Sequence, residues 1–326
     1  ISTSCSSMST PDLASGRSDM GDARSLTYHR HGSTQDFDGQ LIGFGIETLK
    51  DLVEHAGMRR ALLVLDRVAT DASDLAGEID SSPIWADRVF SDVQPNPTIV
   101  RARTALDAGK RWNADGVVAI GGGSAIDLAK AVAAGLAHHD ARDEEPDAVL
   151  RGDAHVRAAA PIVAVPTTAG SGSQATSFGV LYVDGQKRSL DHIALRPAGV
   201  VLDARFLARM PAKAAAVSGL DALCQCIESM WACRATESSR SFAAEGGRLM
   251  CDTLVSAVRD RHAASLQAVA LGAHLSGCAI NVSRTTAAHA YSYALTQRHG
   301  IPHGLAVTHA LGWVARWNAG VDAHSC

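Results

Sequence analysis

The chain has 326 residues, 46% of them hydrophobic, with 30 Lys and Arg against 34 Asp and Glu. That length can bury a large core and hold two domains, while a net charge of -4 leaves no basic stripe or polybasic run for nucleic acid or anionic lipid. A small-molecule partner is expected, and seven cysteines without a Cys-x-x-Cys spacing argue against a disulfide framework or zinc ribbon and for buried thiols in a reducing cytoplasm.

Residues 1–23 are rich in Ser, Thr, Asp and Gly and read as a disordered leader. No signal-peptide or membrane-spanning apolar run follows, so no membrane role is expected. From Leu41 the pattern changes. Glu47 to His55 has helical spacing, and Ala61-Leu-Leu-Val-Leu-Asp66 reads as a buried parallel strand ending in a carboxylate. Asp66 can accept hydrogen bonds from an adenosine ribose and repel a 2′-phosphate, favouring NAD over NADP, or be a solvated strand-end acid.

Residues 99 to 112 read as a helix and Gly116-Val-Val-Ala-Ile120 as a second buried strand, which runs into Gly121, Gly122, Gly123 and Ser124 and then a helix carrying Asp127 and Lys130. Strand, glycine turn and helix aim free backbone N–H groups at a phosphate, unless this is an ordinary tight turn. Pro161 to Pro166 is a further strand. It delivers Thr167, Thr168 and Ser171 to a glycine loop whose hydroxyls can hold a nicotinamide ribose and carboxamide, or form a surface turn.

After Val200-Val-Leu-Asp203 strand signals fade, and residues 212–294 carry helical spacing. The expected division is a leader at 1–23, an α/β dinucleotide-binding domain at 24–204 and a helical domain at 205–326, with a cleft between the latter two. Asp221 and Gln225, four apart, share one helix face. His289 begins another helical stretch, and His303 follows the Gly300 and Pro302 that break it. Oxygen and imidazole donors from separate segments suit a catalytic divalent metal better than a closed thiolate site, although a histidine in an Ala-rich helix is also an ordinary packed residue.

Three of these stretches resemble, in order, motifs of the iron-containing (group III) alcohol dehydrogenases. Gly121 to Lys130 matches Gly-Gly-Gly-Ser-x-x-Asp-x-Ala-Lys at every fixed position. Pro166 to Gln174 follows Pro-Thr-Thr-x-Gly-Thr-Gly-Ser-Glu, with Ser171 for Thr and Gln174 for Glu. Gly219 to Gln225, His289 to Tyr293 and Pro302-His303-Gly304 follow Gly-x-Asp-Ala-x-x-His, His-x-x-x-His and Pro-His-Gly, with Gln225 and Tyr293 in place of histidines.

The resemblance spans about Leu41 to Trp317 and implies an α/β + all-α architecture: an N-terminal Rossmann-like dinucleotide-binding domain, then a helical metal-binding domain, as in dehydroquinate synthase-like folds. It implies NAD or NADP on Asp66, Gly121, Gly122, Gly123, Ser124, Asp127, Thr167, Thr168 and Ser171, and Fe2+ or Zn2+ on Asp221, Gln225, His289 and His303. The implied activity is reduction of a small aldehyde to a primary alcohol. Residues 218–231 and 279–296 look most like the phosphonoacetaldehyde reductases, whose substrate calls for a cation; Lys187, Arg284 and Arg298 are candidates. Tyr293 is the candidate proton donor, with His299 or water behind it and a packed aromatic as the bland reading. A lactaldehyde or other alcohol dehydrogenase, a dehydroquinate-synthase-like cyclase and a non-catalytic nucleotide-binding homologue are the alternatives. Homodimers are usual in the family, and members continue through more C-terminal helices, so an incomplete end is expected.

Overall fold

The computed structural model describes residues 31–85, 87–138 and 146–319, so the expected leader lies outside the described residues. Nine strands are formed there: β1 (Thr34–Phe37), β2 (Gln40–Phe44), β3 (Ala61–Leu65), β4 (Val89–Phe90), β5 (Gly116–Gly121), β6 (Ile162–Pro166), β7 (Phe178–Val183), β8 (Gln186–Asp191) and β9 (Gly199–Leu202). Seven make one sheet in the order β1-β2-β9-β6-β5-β3-β4, parallel except for the antiparallel edge pair β1/β2. Every residue of β3, β5, β6 and β9 is buried, which is what a parallel sheet covered on both faces demands of its strands.

Among and just after these strands lie α1 (Leu49–His55), α2 (Arg67–Asp71), α3 (Ala76–Asp80), α4 (Ile99–Arg111), α5 (Gly123–Ala137), α6 (Pro146–Arg151) and α7 (Ala204–Ala208). Pleating divides the core. Leu62, Val64, Val117 and Ala119 face α4 and α5, whereas Leu63, Leu65, Val118 and Ile120 face α1 and the segment around Trp85. The chain leaves β3 outward to β4, and α4 then carries it back to β5 on the other side of β3. The strand order therefore reverses between β3 and β5, and the carboxyl ends of those strands open the crevice where such sheets bind ligands.

Helices α8 (Ala212–Trp231), α9 (Glu237–Arg259), α10 (Ala263–Ser283), α11 (Ala287–His299) and α12 (His303–Asn318) follow. By length and apolarity α10 could cross a membrane, but it is apolar all round and mostly buried inside the fold, as a core helix is. It also touches the α/β part directly. Gly172, at φ 65°, lies in the loop after β6, and a Cβ there would sit 2.5 Å from Gly277 Cα on α10. Glycine is required at both places, once for the left-handed backbone and on each side for the close approach.

Lys130 fixes the same loop. It is fully buried on α5, and its ammonium donates to the carbonyls of Ser173 (2.8 Å), Thr176 (2.8 Å) and Phe178 (2.6 Å). Asp127, one turn earlier, accepts from the Ser173 hydroxyl at 2.6 Å. The matched motif thus does structural work on the segment that leads into the β7–β8 hairpin. Burial pulls Lys130 down to about 7 against the opposing charge of Asp127. Lys130→Met leaves Thr176 O without a donor, while Ser173 O keeps the Thr176 amide (3.3 Å) and Phe178 O the Thr176 hydroxyl (3.1 Å); we expect stability to urea to fall by about 1–3 kcal/mol.

Candidate active site and metal centre

The nucleotide side begins at the switch point. The Asp66 amide donates to Ile120 O at 2.8 Å, and a Cβ on Gly121 would lie 2.8 Å from Asp66 Cβ and 2.5 Å from Ala125 Cβ. A Cβ on Gly123 would lie 2.5 Å from Ser171 Oγ, so the glycine run lets both neighbouring loops close onto the start of α5. Asp66 caps α2, accepting from the Ala69 amide at 3.3 Å, and Thr167 donates its amide to Gly121 O at 3.0 Å. The Thr167 hydroxyl is buried without a partner, and Thr168 packs over Gly122.

Of the sequence-derived nucleotide residues, Gly123, Ser124, Asp127 and Ser171 line a cleft of about 370 Å³. Asp66, Gly121, Gly122, Thr167 and Thr168 sit at the same strand ends, outside its wall. Across the cleft stand Asp221, Gln225, His289, Tyr293 and His303, all of which line it too.

Three helices supply that wall. Gly300, at φ 65°, ends α11 and Pro302 precedes α12, so His303 is the first residue of α12 and turns back towards α8. His289 Nε2 lies 3.3 Å from Asp221 Oδ1, and His303 Nε2 lies 3.7 Å from the same oxygen. The three ligand-type atoms fall within 4.8 Å of one another, close enough to share one ion. Asp221 Oδ1 and His289 Nε2 are buried and make no hydrogen bond. Two buried polar atoms left facing each other are costly, and a cation between them removes the cost.

The tautomers agree with that fit. His289 Nδ1 contacts Glu228 Oε2, so its N–H is spent there and the Nε2 lone pair faces Asp221. Ser292 donates its hydroxyl to His289 O at 2.6 Å, and His303 Nδ1, 3.3 Å away, therefore donates to Ser292 Oγ. This leaves His303 Nε2 a free acceptor as well. Without an ion the imidazole is protonated instead: burial opposes charge on His289, but the carboxylates of Asp221 and Glu228 on either side of the ring prevail and hold it at about 9. Burial opposes charge on Asp221 too, and His289 overcomes it, keeping the carboxyl below its ordinary value. His303 is lowered by burial, against the pull of Asp221.

Glu228 escaped the reading of the sequence. It is fully buried, and its Oε1 accepts from the amides of Thr286 (3.0 Å), Ala288 (3.1 Å) and His289 (3.4 Å) and from the Thr286 hydroxyl (2.5 Å). One carboxylate thus binds the free N–H groups that open α11 and orients the imidazole in that helix's first turn. The available signal was the spacing of Asp221, Gln225 and Glu228, which puts three polar side chains on one face of α8.

Gln225 is placed differently from the ligand expectation. Its Oε1 accepts from Ser276 Oγ on α10 at 2.9 Å, while Nε2 donates to Asp221 Oδ2 at 3.4 Å. Tyr293 stacks on His303, with ring centroids 5.8 Å apart and planes 3° from parallel. The three candidate cations also separate. Lys187 lines the cleft, Arg284 is paired with Asp191 at 2.6 Å over the Phe178 ring, and Arg298 is exposed outside it with His299.

Comparison with known proteins matches residues 42–204 to the family described as iron-containing alcohol dehydrogenase, and residues 215–324 to the C-terminal part of the Fe-containing alcohol dehydrogenase family. A phosphonoacetaldehyde reductase from Streptomyces viridochromogenes is 37% identical over 74% of this chain and 65% of its own length. A 4-hydroxybutyrate dehydrogenase from Cupriavidus necator is 30% identical over 85% of this chain and 75% of its own. Among solved structures, sulfoacetaldehyde reductase from Bifidobacterium kashiwanohense in complex with NAD+ is 30% identical with a TM-score of 0.77, covering 90% of this chain and 79% of that one. The chain therefore spans just under two thirds of the first of these relatives.

Proposed function

The chain belongs to the iron-containing alcohol dehydrogenase family, and from that premise we propose that it reduces a short aldehyde bearing an anionic head group to the primary alcohol. The observation that carries this reading is the meeting of Asp221, His289 and His303 on the wall of the cleft whose other side is the start of α5. Those three residues would hold a divalent cation, Fe2+ or Zn2+, and the cleft would hold NADH or NADPH. Bound there, the cation supplies Lewis acidity to the carbonyl oxygen and the dinucleotide supplies the hydride.

The chain's own work is orientation. Glu228 and Ser292 hold the two imidazoles with Nε2 inward, and Lys130 and Asp127 fix the loop of Ser171 and Ser173 against the opening of α5. Free amides at Gly123 and Ser124 suit a pyrophosphate, and Asp66 beside Gly121 favours the unphosphorylated ribose of NAD. Tyr293 is our candidate to hand a proton to the developing alkoxide, because it lines the cleft next to His303. Gln225 can join the cation by exchanging its amide ends. Ser276 has one hydroxyl proton and a second acceptor, Ala273 O at 2.9 Å, so it can accept from Nε2 and leave Oε1 facing Asp221.

The substrate class comes from the three relatives, whose names carry a phosphonate, a carboxylate and a sulfonate on a two- to four-carbon chain. The test is a panel of phosphonoacetaldehyde, succinic semialdehyde, sulfoacetaldehyde, lactaldehyde and propanal with NADH or NADPH after loading with Fe2+ or Zn2+. Loss of nucleotide absorbance, greatest with the anionic aldehydes, is expected. No oxidation of either nucleotide with any aldehyde would reject the reading.

A further inference from the structure

We propose that Lys187, seated on the ring of Tyr293, is the contact that selects an anionic head group on the substrate; this rests on the reading of the cleft as an aldehyde site. The sequence around it forms a two-stranded ribbon because Asp184 and Gly185, at φ 51° and 75°, make the left-handed pair that closes a two-residue hairpin. In that ribbon Lys187 stands directly opposite Tyr182. Side chains alternate between faces along each strand, so Lys187 shares the face of Phe178, Val180 and Tyr182, and all four line the cleft.

Lys187 is the one lysine or arginine among the described residues that line it. Its Nζ lies 3.8 Å from the centroid of the Tyr293 ring, and among the described residues it makes no ion pair or hydrogen bond. A cation held by a ring face keeps its N–H donors for another acceptor. Arg284, by contrast, is neutralised by Asp191.

The position suits a short substrate. Tyr293 also stacks on His303, so the ammonium and the His303 imidazole are both neighbours of one aromatic ring. One helical turn beyond Tyr293, Thr296 lines the same cleft and its buried hydroxyl has no hydrogen-bond partner. A head group with several oxygens can take the ammonium on one and that hydroxyl on another.

The test is calorimetry on the metal-loaded, NAD+-bound full chain with three unreactive probes: ethylphosphonate, ethanesulfonate and butyrate. Wild type is expected to bind at least one, and the ranking identifies the head group. Lys187→Ala should weaken that binding roughly 10- to 100-fold, Lys187→Arg should restore most of it, and neither should move the affinity for NAD+ by more than about twofold. Binding of no probe by wild type, equal binding by Lys187→Ala, or an equal loss of NAD+ affinity would each overturn the assignment. Lys187-dependent binding in a protein that reduces no aldehyde would uphold the anion contact and reject the reaction. Aldehyde reduction whose preference for anions survives Lys187→Ala would do the opposite.

Discussion

His303→Ala removes the bound cation and aldehyde reduction together. The group Asp221, His289 and His303 draws one side chain from each of α8, α11 and α12, and deletion leaves a carboxylate and a single imidazole. Two donors do not hold Fe2+ or Zn2+ in competition with water. His303 is 38% exposed at the first position of α12, so its loss should leave the fold intact and the effect readable as chemistry. Metal content measured on the purified protein should fall from about one ion per chain to nearly none, and kcat/KM by at least about a thousandfold, the scale of a Lewis-acid contribution of several kcal/mol. Gln225→Ala is the contrasting case. Its oxygen rests on Ser276 and would have to turn to reach an ion, which makes it at most an auxiliary donor, so we expect no more than about a tenfold loss of metal affinity. Full activity in metal-free protein, or metal retained by His303→Ala, would sink the three-residue site.

Much of this site is legible in the sequence because it rests on local signals. Continuous apolar runs give β3, β5 and β6, the glycine run marks the turn into α5, and Gly300 with Pro302 places the break that turns His303 back. What stayed hidden depends on partners distant in the chain. Lys130 looked like part of a phosphate motif, yet the carbonyls that occupy it lie 43 to 48 residues away. The β7–β8 hairpin carried a good turn signal at Asp184-Gly185, but β8 is polar and largely exposed, so it lacks the apolar alternation that marks a strand. Asp66 in the sequence fits a ribose acceptor or a solvated strand-end acid, and the cap it forms on α2 depends on a helix too short to leave a periodic signal. Glu228 is the sharpest instance. One glutamate in an amphipathic helix is normally a solvated charge, and only the packing of α11 against α8 buries this one.

Glu228→Gln keeps the fold and weakens metal binding. The substituted amide oxygen can still accept from the amides that open α11, but its NH2 then faces His289 Nδ1, where the carboxylate had been an acceptor. Two donors cannot share that contact, so the imidazole moves its proton to Nε2, the nitrogen turned towards Asp221. The lone pair needed by a cation is gone, and metal affinity should fall about 10- to 100-fold with helical content unchanged by circular dichroism. Glu228→Ala is a different lesion. It strands the first N–H groups of α11 in a buried place and removes one partner of a buried charge pair, a loss of about 3–5 kcal/mol that urea unfolding would register. The pH dependence separates the two roles. In metal-free protein His289 is held at about 9, above the ordinary 6.5, by Asp221 and Glu228 in spite of burial. Its imidazolium therefore contributes stability that is complete below pH 6.5 and disappears as the pH rises through about 9. Metal binding runs the other way, because the cation must displace that proton, and affinity should climb about tenfold per unit up to that pH. With one of its two carboxylates replaced, His289 titrates lower, so Glu228→Gln should shift both profiles towards acid. An unshifted profile with metal affinity equal to wild type would show that Glu228 only caps α11.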